Sequence, residues 1–554
     1  MLSEQPDYAS RGMVACANYF ATQAGLRILL QGGNAIDAAI AAIATMTVVY
    51  PSTCSAGGDL FMLIWHEKSQ RLYALNASGR APQGMRPEYF AAQGLQSIPE
   101  RGPLTINVPG AADGWFAALD RFGSLSAETV LTPAIEYAED GVPVTAKLAS
   151  WLARAELLLK RWDSSANVFL ADKRPPNAGE LLRQPHLART YRTLAKEGRD
   201  AFYNGPIAQS ITDYVQRVGG VLSMEDMRKH HSDWVEPIST NYRGYDVYEF
   251  PPNTQGIAAL EMLNIIEGYD LKSFGYQSSE YLHVLLEAKK LAFADRDQYV
   301  SDPAFVDVPV ERLLSKAYAE EQRKRINLQR AAAGVKAGLE KEGDTTYLCV
   351  ADGEGNVVSL IQSLYMGFGS GVVGGDTGVL LHNRGAYFSL DERHVNYLQP
   401  GKRTMHTLAP AMVMRDEKPY MALGTMGGDA QPQIHVQLLT AMLDFGMNPQ
   451  QAISAPRWRS GRMRLYPPVR RNDHIPGQRG LDELADRDVS EVVIMERRFP
   501  NGAPLLLEML GHRIQLEDAW GDGMGHAQAI RIHHNPHLFE GAADPRCDGL
   551  ALGW

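Results

Sequence analysis

Two runs of the chain, Thr345 to Ala351 and Val357 to Ser363, are rich in threonine, aromatic and β-branched residues and read as strands. Asp352-Gly353-Glu354-Gly355-Asn356 between them is turn chemistry, so the pair predicts a hairpin. Leu60 to Trp65 with Leu72 to Asn76, and Pro410 to Arg415 with Pro419 to Gly424, predict two more strand pairs. Gly244 to Phe250 predicts a strand that stops at Pro251-Pro252, and Ala527 to His533 a strand near the end of the chain. Helical apolar spacing marks Gln23 to Leu30, Leu131 to Asp140, Leu148 to Leu159, Ile257 to Ile266, Ser279 to Tyr299 and Gln433 to Phe445. Ala35 to Val49 is apolar on nearly every side, the pattern of a helix buried on every side. Gln322 to Gly343 is charged, alanine-rich and poorly patterned, and predicts a flexible linker that ends where a strand opens. Met463 to Leu505 is charged and shows no assignable element.

The chain has 554 residues, 45% of them hydrophobic and 21% charged, which is globular composition. Its length suggests roughly three to four domain-sized units, or one large layered α/β domain. A net charge of -10 with scattered positive residues argues against nucleic acid or an anionic membrane as the main partner. The four cysteines form no CxxC pair and signal neither zinc nor a disulfide framework. The N-terminus has an early acid and no apolar core, so no secretory signal is expected and the protein reads as cytoplasmic.

Three motifs invite chemistry. Gly369-Ser370-Gly371-Val372-Val373-Gly374 has dinucleotide-fingerprint spacing, but Gly375-Asp376-Thr377-Gly378 follows where a helix is required, so a glycine-rich turn is the better reading. His533, His534 and His537 have metal-like spacing without a nearby carboxylate or cysteine and read as a surface turn; His230-His231 likewise reads as solvated. Thr345 is the third. A threonine opening a strand is ordinarily only a β-former. Scission of Asp344-Thr345, however, frees an α-amine of pKa about 8 on the residue that carries the hydroxyl, and that amine can act as the base for its own Oγ. Ser363 can orient the nucleophile, and the amides of Gly427 and Gly428, between a strand and a helix, can form an oxyanion hole.

Along nearly its whole length the chain resembles the γ-glutamyltranspeptidase superfamily. The matching motifs are Gly32-Gly33-Asn34-Ala35-Ile36-Asp37-Ala38-Ala39, Pro109-Gly110, Pro251-Pro252-Asn253-Thr254-Gln255-Gly256, Asp344-Thr345-Thr346, Gly367 to Gly371, Gly427-Gly428 and Ala543-Asp544-Pro545-Arg546. The resemblance implies a four-layer αββα fold of N-terminal-nucleophile hydrolases and a precursor that cuts itself before Thr345. The resulting large subunit (1–344) and small subunit (345–554) stay associated, with a dimer of heterodimers as one assembly open to them. It implies an acyl-threonine intermediate, no cofactor and no metal. Thr345 matches the nucleophile, Ser363 its supporting hydroxyl, and Gly427 and Gly428 the oxyanion glycines.

The departures concern the substrate. The family's arginine that holds the γ-glutamyl α-carboxylate is replaced by Ser78, with Arg80 two residues on. Its aspartate for the α-amino group is Tyr387, its asparagine after the supporting hydroxyl is Tyr365, and its glutamine after Asn383 is Arg384. Its Ser-Ser pair is His406-Thr407. Losing a carboxylate while gaining Tyr and Arg favours an anionic acyl group without an α-amine. The pattern resembles the oxamate amidohydrolase branch, with Arg80 or Arg384 gripping the substrate carboxylate. A γ-glutamyl hydrolase or transferase, and an uncut binding homologue, are the alternatives.

Overall fold

A computed structural model describes residues 5–170, 173–334, 343–464, 489–500 and 502–554. Two seven-stranded antiparallel sheets lie face to face. The first is ordered Leu550–Gly553, Gly12–Cys16, Asp344–Asp352, Val357–Tyr365, Asp59–His66, Arg71–Ala77, Asp233–Val235. The second runs Asp7–Ala9, His537–Ala543, Ala527–His534, Lys418–Thr425, Ala411–Arg415, Tyr245–Glu249, Ile238–Tyr242.

Alternation along the strands sorts their side chains into three apolar layers. Leu348, Val350, Leu360, Met62 and Val14 pack outward on the helices of the first sheet. Tyr347, Cys349, Ile361, Phe61 and Met13 face inward and meet Met412, Ala422, Ile530 and Phe539 of the second sheet. Val413, Met421 and Leu423 pack outward on the helices Gly256–Ile266, Ser279–Tyr299 and Gln431–Leu443. The architecture is the four-layer αββα sandwich expected from the resemblance. Both sheets are covered on both faces, which is why their central strands read as near-continuous apolar runs.

The helix Ala35–Val49 is buried at every position. Asn34 caps it by accepting from the Ile36 and Asp37 amides, and Asp37 returns the bond by accepting from the Asn34 amide at 3.0 Å. The Ala35 amide donates to Asp352 Oδ2 at 2.8 Å, which fastens this helix to the turn of the 344–365 hairpin.

Three expectations need correction. The stretch from Gln322 to Gly343 is not a linker throughout. Gln322 is buried in the helix Lys316–Arg323, and the Ala331 amide bonds to the Leu510 carbonyl; residues 335–342 lie outside the described residues. His230 is not solvated: it is buried and stacked on Tyr203, while its neighbour His231 is exposed. Within Met463 to Leu505, the strands Trp458–Arg464 and Val489–Glu496 pair antiparallel and a helix spans Gly502–Met509; residues 465–488 and 501 lie outside the described residues. Among the described residues no helix is long and apolar enough to cross a membrane.

Asp37→Ala removes the capping carboxylate together with its bonds from Ser124. It is expected to lower the unfolding free energy by about 2–3 kcal/mol, read as a shifted denaturation midpoint at unchanged slope. Burial pushes the imidazoles of His230, His406 and His512 down to about 3. Their folded-state values lie below the unfolded value of about 6.5, so their contribution to stability is fully present above that pH and is lost as pH falls from there toward 3. Denaturation midpoints are expected to drop across this window with net proton uptake on unfolding, and His230→Phe is expected to flatten the slope.

Candidate active site

Strand register builds the site. Thr345 lies opposite Ser363, and Ser363 lies opposite Asp59 on the next strand. The three side chains therefore share one face, the same face as Tyr347, Ile361 and Phe61, at the end of the slot between the sheets. Thr345 Oγ donates to Ser363 Oγ at 3.1 Å, and Ser363 Oγ donates to the Asp344 carbonyl oxygen at 2.8 Å. The Tyr365 amide donates to Ser363 Oγ at 2.7 Å, which fixes the direction of that relay. Register shifts between Asp344 and Thr345, so the strand is irregular at the bond expected to break. In this uncut chain the arrangement aims a hydroxyl proton at the Asp344 carbonyl.

Arg384 is buried above this row. Its Nη1 donates to Thr407 Oγ1 at 3.2 Å, its Nη2 lies 3.5 Å from Ser363 Oγ, and its guanidinium carbon sits 4.4 Å from the centre of the Tyr365 ring. Tyr365 has φ +80°, a left-handed conformation costly for a bulky residue, and the Arg384 guanidinium and the Tyr387 ring, 5.5 Å away, pack against it. Asp59 Oδ2 accepts from His406 Nε2 at 3.0 Å, lies 3.0 Å from His382 Nδ1 and 3.8 Å from Arg384 Nε; its Oδ1 accepts from the Gly79 amide at 2.7 Å. Burial alone would raise the Asp59 carboxyl, but the two imidazoles hold it well below the usual carboxylate range. His406 Nδ1 accepts from the Leu408 amide, so its Nε2 carries the proton that Asp59 receives.

Gly427 and Gly428 follow the strand Lys418–Thr425 of the second sheet with φ +133° and +56°, backbone that favours glycine. Gln255 Nε2 donates to the Gly428 carbonyl at 2.8 Å and fixes the turn. Gly343 packs onto it: a Cβ there would lie 3.3 Å from Gly428 Cα and 3.1 Å from the Tyr365 carbonyl oxygen. The chain before the scissile bond thus runs across the glycine turn. Asp429 next to it accepts from Arg296 at 2.9 Å and from the Tyr387 hydroxyl at 3.0 Å.

From the Asp344 carbonyl, hydrogen bonds and ring contacts link Ser363, Thr345, Tyr365, Arg384, Thr407 and Tyr387 in turn; His406 meets Arg384 through Asp59, and Gly428, with Gly427 before it, lies against Gly343. Asn383 supports the rim, donating to the Glu100 carbonyl and accepting from the Met366 amide. Arg80 is placed elsewhere: it donates to Asp233 at 3.0 Å and to the His231 carbonyl at 3.3 Å, beside Arg403. Sequence reasoning missed Asp59, His382 and Asp429. Asp59 follows Gly57-Gly58 and Asp429 follows Gly427-Gly428, so an acid directly after a glycine pair was the available signal.

The other motifs stay outside this chemistry. The 369–374 glycines form turns with no following helix, and Arg101 donates to the Gly367 and Gly369 carbonyls at 2.6 Å. His533 does have a carboxylate neighbour, Glu540 at 3.3 Å, contrary to the sequence reading, and it sits on a hairpin. His283, Glu287 and His512 bring ligand atoms within 4.8 Å of one another, but the two rings bond each other at 2.8 Å and Glu287 accepts from Lys290 and from the Ala332 amide.

Known proteins resemble the whole of this arrangement. The family model for gamma-glutamyltranspeptidase matches residues 21–554. The glutathione hydrolase-like YwrD proenzyme of Bacillus subtilis is 42% identical, covering 98% of both chains. The oxamate amidohydrolase proenzyme of Klebsiella pneumoniae is 36% identical over 99% of both. The crystal structure of cephalosporin acylase from Bacillus halodurans superposes with a TM-score of 0.90 at 39% identity, covering 100% of this chain and 98% of that one. The chain belongs to the gamma-glutamyltranspeptidase family, whose relatives here are hydrolases of C–N amide bonds.

Proposed function

We propose that this chain is a self-processing threonine amidohydrolase for short amides whose acyl group is anionic and carries no α-amine, oxamate being the type. The observation that carries this reading is Arg384, a buried guanidinium one hydroxyl group away from the Thr345 nucleophile. A cation so placed, stacked on Tyr365, suits a carboxylate on a short acyl chain. Tyr387 stands where the family holds an α-amino group, and its hydroxyl is taken up by Asp429.

In self-processing, Thr345 Oγ adds to the Asp344 carbonyl carbon, and Ser363 steadies the oxygen that gains charge. The Asp344–Thr345 C–N bond breaks as the nitrogen takes a proton. Water then hydrolyses the ester, leaving a carboxylate on Asp344 and an α-amine on Thr345. That amine serves as base when the freed hydroxyl attacks substrate, and the Gly427 and Gly428 amides face the oxyanion. Ammonia leaves with the proton, and water releases the acid. Subunits 1–344 and 345–554 stay together because the hairpin of Thr345 is flanked inside the first sheet by two strands of the larger piece, Gly12–Cys16 on one side and Asp59–His66 on the other.

A second reading, hydrolysis of γ-glutamyl amides, is favoured by the 42% identity to a glutathione hydrolase-like protein. Ammonia release from oxamate against release from γ-glutamyl amides separates the two, and activity confined to the γ-glutamyl compounds overturns the first. Thr345→Ala is expected to leave one uncut band on a denaturing gel and no turnover. Ser363→Ala is expected to slow scission about 10²-fold, through loss of one donor to the reacting carbonyl. Arg384→Ala is expected to cut kcat/KM for the anionic amide roughly 100-fold.

A further inference from the structure

We propose that Asp59 is the positioning residue for Arg384: from the strand beyond Ser363, its carboxylate seats the guanidinium at the acyl end of the site and so sets the preference for an anionic amide. This rests on the reading of the site given above and extends it to a residue outside the nucleophile's relay.

A guanidinium has five N–H donors. Arg384 is 1% exposed, yet among the described residues it makes one hydrogen bond of ordinary length, to Thr407, and one at 3.5 Å, to Ser363; its Nε has no hydrogen-bond partner. Such a buried cation needs a compensating charge. Asp59 supplies it at 3.8 Å, too far and too fully engaged to close a two-pronged pair. Its oxygens are already faced by the Gly79 amide, His406 and His382. The carboxylate therefore holds the guanidinium by charge while leaving its donors open to a ligand.

The seat around Asp59 is itself fixed. Gly79 must be glycine, because a Cβ there would lie 1.6 Å from the Val108 carbonyl oxygen, and so its amide stays aimed at Asp59. His382 Nε2 donates to the Asn107 carbonyl at 3.0 Å, and Phe61 packs edge-on against His406 at 4.8 Å. Asp59, His382, His406 and Arg384 come from three separated stretches of sequence and meet only here. Because Arg384 also lies beside Ser363, the acyl chain that reaches from the nucleophile to the guanidinium is short.

The test uses the full-length, self-cleaved enzyme with oxamate and with pyruvamide, which replaces the carboxylate by a neutral acetyl group. Wild type is expected to prefer oxamate roughly 100-fold in kcat/KM. Asp59→Asn is expected to remove most of that preference, raising KM for oxamate far more than KM for pyruvamide. The double variant with Arg384→Ala is expected to be no worse than Arg384→Ala alone. A retained preference in Asp59→Asn, or an equal loss on both amides, overturns the proposal. If Asp59→Asn does not fold, His406→Leu takes its place: preference falls, and His406→Gln, which keeps an N–H donor, restores it; equal behaviour of the two overturns the proposal. If wild type acts on γ-glutamyl amides and not on oxamate, the substrate reading fails separately. The α-carboxylate is then the anion, and an unchanged KM for it in Asp59→Asn overturns the role of Asp59.

Discussion

The strand that carries Thr345 is buried on both faces, and that burial governs everything around it. A polar group at the end of the inter-sheet slot cannot turn to water, so each one must be answered by a neighbour. Ser363 meets this fully, giving its proton to the Asp344 carbonyl and accepting from Thr345 and the Tyr365 amide. Asp59 meets it with the His406 imidazole and the Gly79 amide. Arg384 meets it only in part, through Thr407 and a 3.5 Å contact to Ser363 with no hydrogen bond at Nε, and on the proposed reading a ligand completes the set.

The same burial explains where the chemistry sits. In mid-strand the inward face is filled by Tyr347, Ile361, Phe61 and their partners from the second sheet. There the hydroxyls of Tyr347 and Ser359 satisfy each other at 2.8 Å, whereas at the strand ends the slot also takes in the charges of Asp59 and Arg384. There the backbone departs from regular form on each side: a register shift at Asp344–Thr345, a left-handed Tyr365, and glycines of positive φ at 427 and 428. These departures turn carbonyls and amides toward a shared point, which a regular ladder cannot do because it commits both to its neighbours.

The fold was largely legible because its signals are local and strong. Ala35–Val49 is apolar all round and the structure buries it all round. The 344–365 hairpin has turn residues between two β-rich runs. What escaped reading was set by register and by contacts distant in sequence. Asp59 sits beside Ser363 only because two strands pair in one alignment, and the glycine pair before it marks an acid in a turn without marking that register. Arg80 and Arg384 were indistinguishable as candidate anion holders in sequence; Asp233 engages the first, whereas the second comes to rest over the nucleophile's relay. The segment before the cut looked unstructured because its contacts, such as Ala331 to Leu510, are long-range.

One relay must serve two reactions in turn. Before scission the Asp344 carbonyl occupies the point that Ser363 addresses, and Gly343 lies across Gly428, so the glycine turn is covered by the chain itself. Scission therefore does two things at once. On the proposed reading it creates the α-amine that Thr345 uses as a base, and it frees the turn that a substrate oxyanion would reach. Ser363, Arg384 and the glycine pair keep their places through the change, because they are held by the first sheet, by Thr407 with Asp59, and by Gln255 respectively. On that reading the site would not hydrolyse a passing amide before the chain has cut itself, since until then the Asp344 carbonyl and Gly343 fill the places a substrate would take.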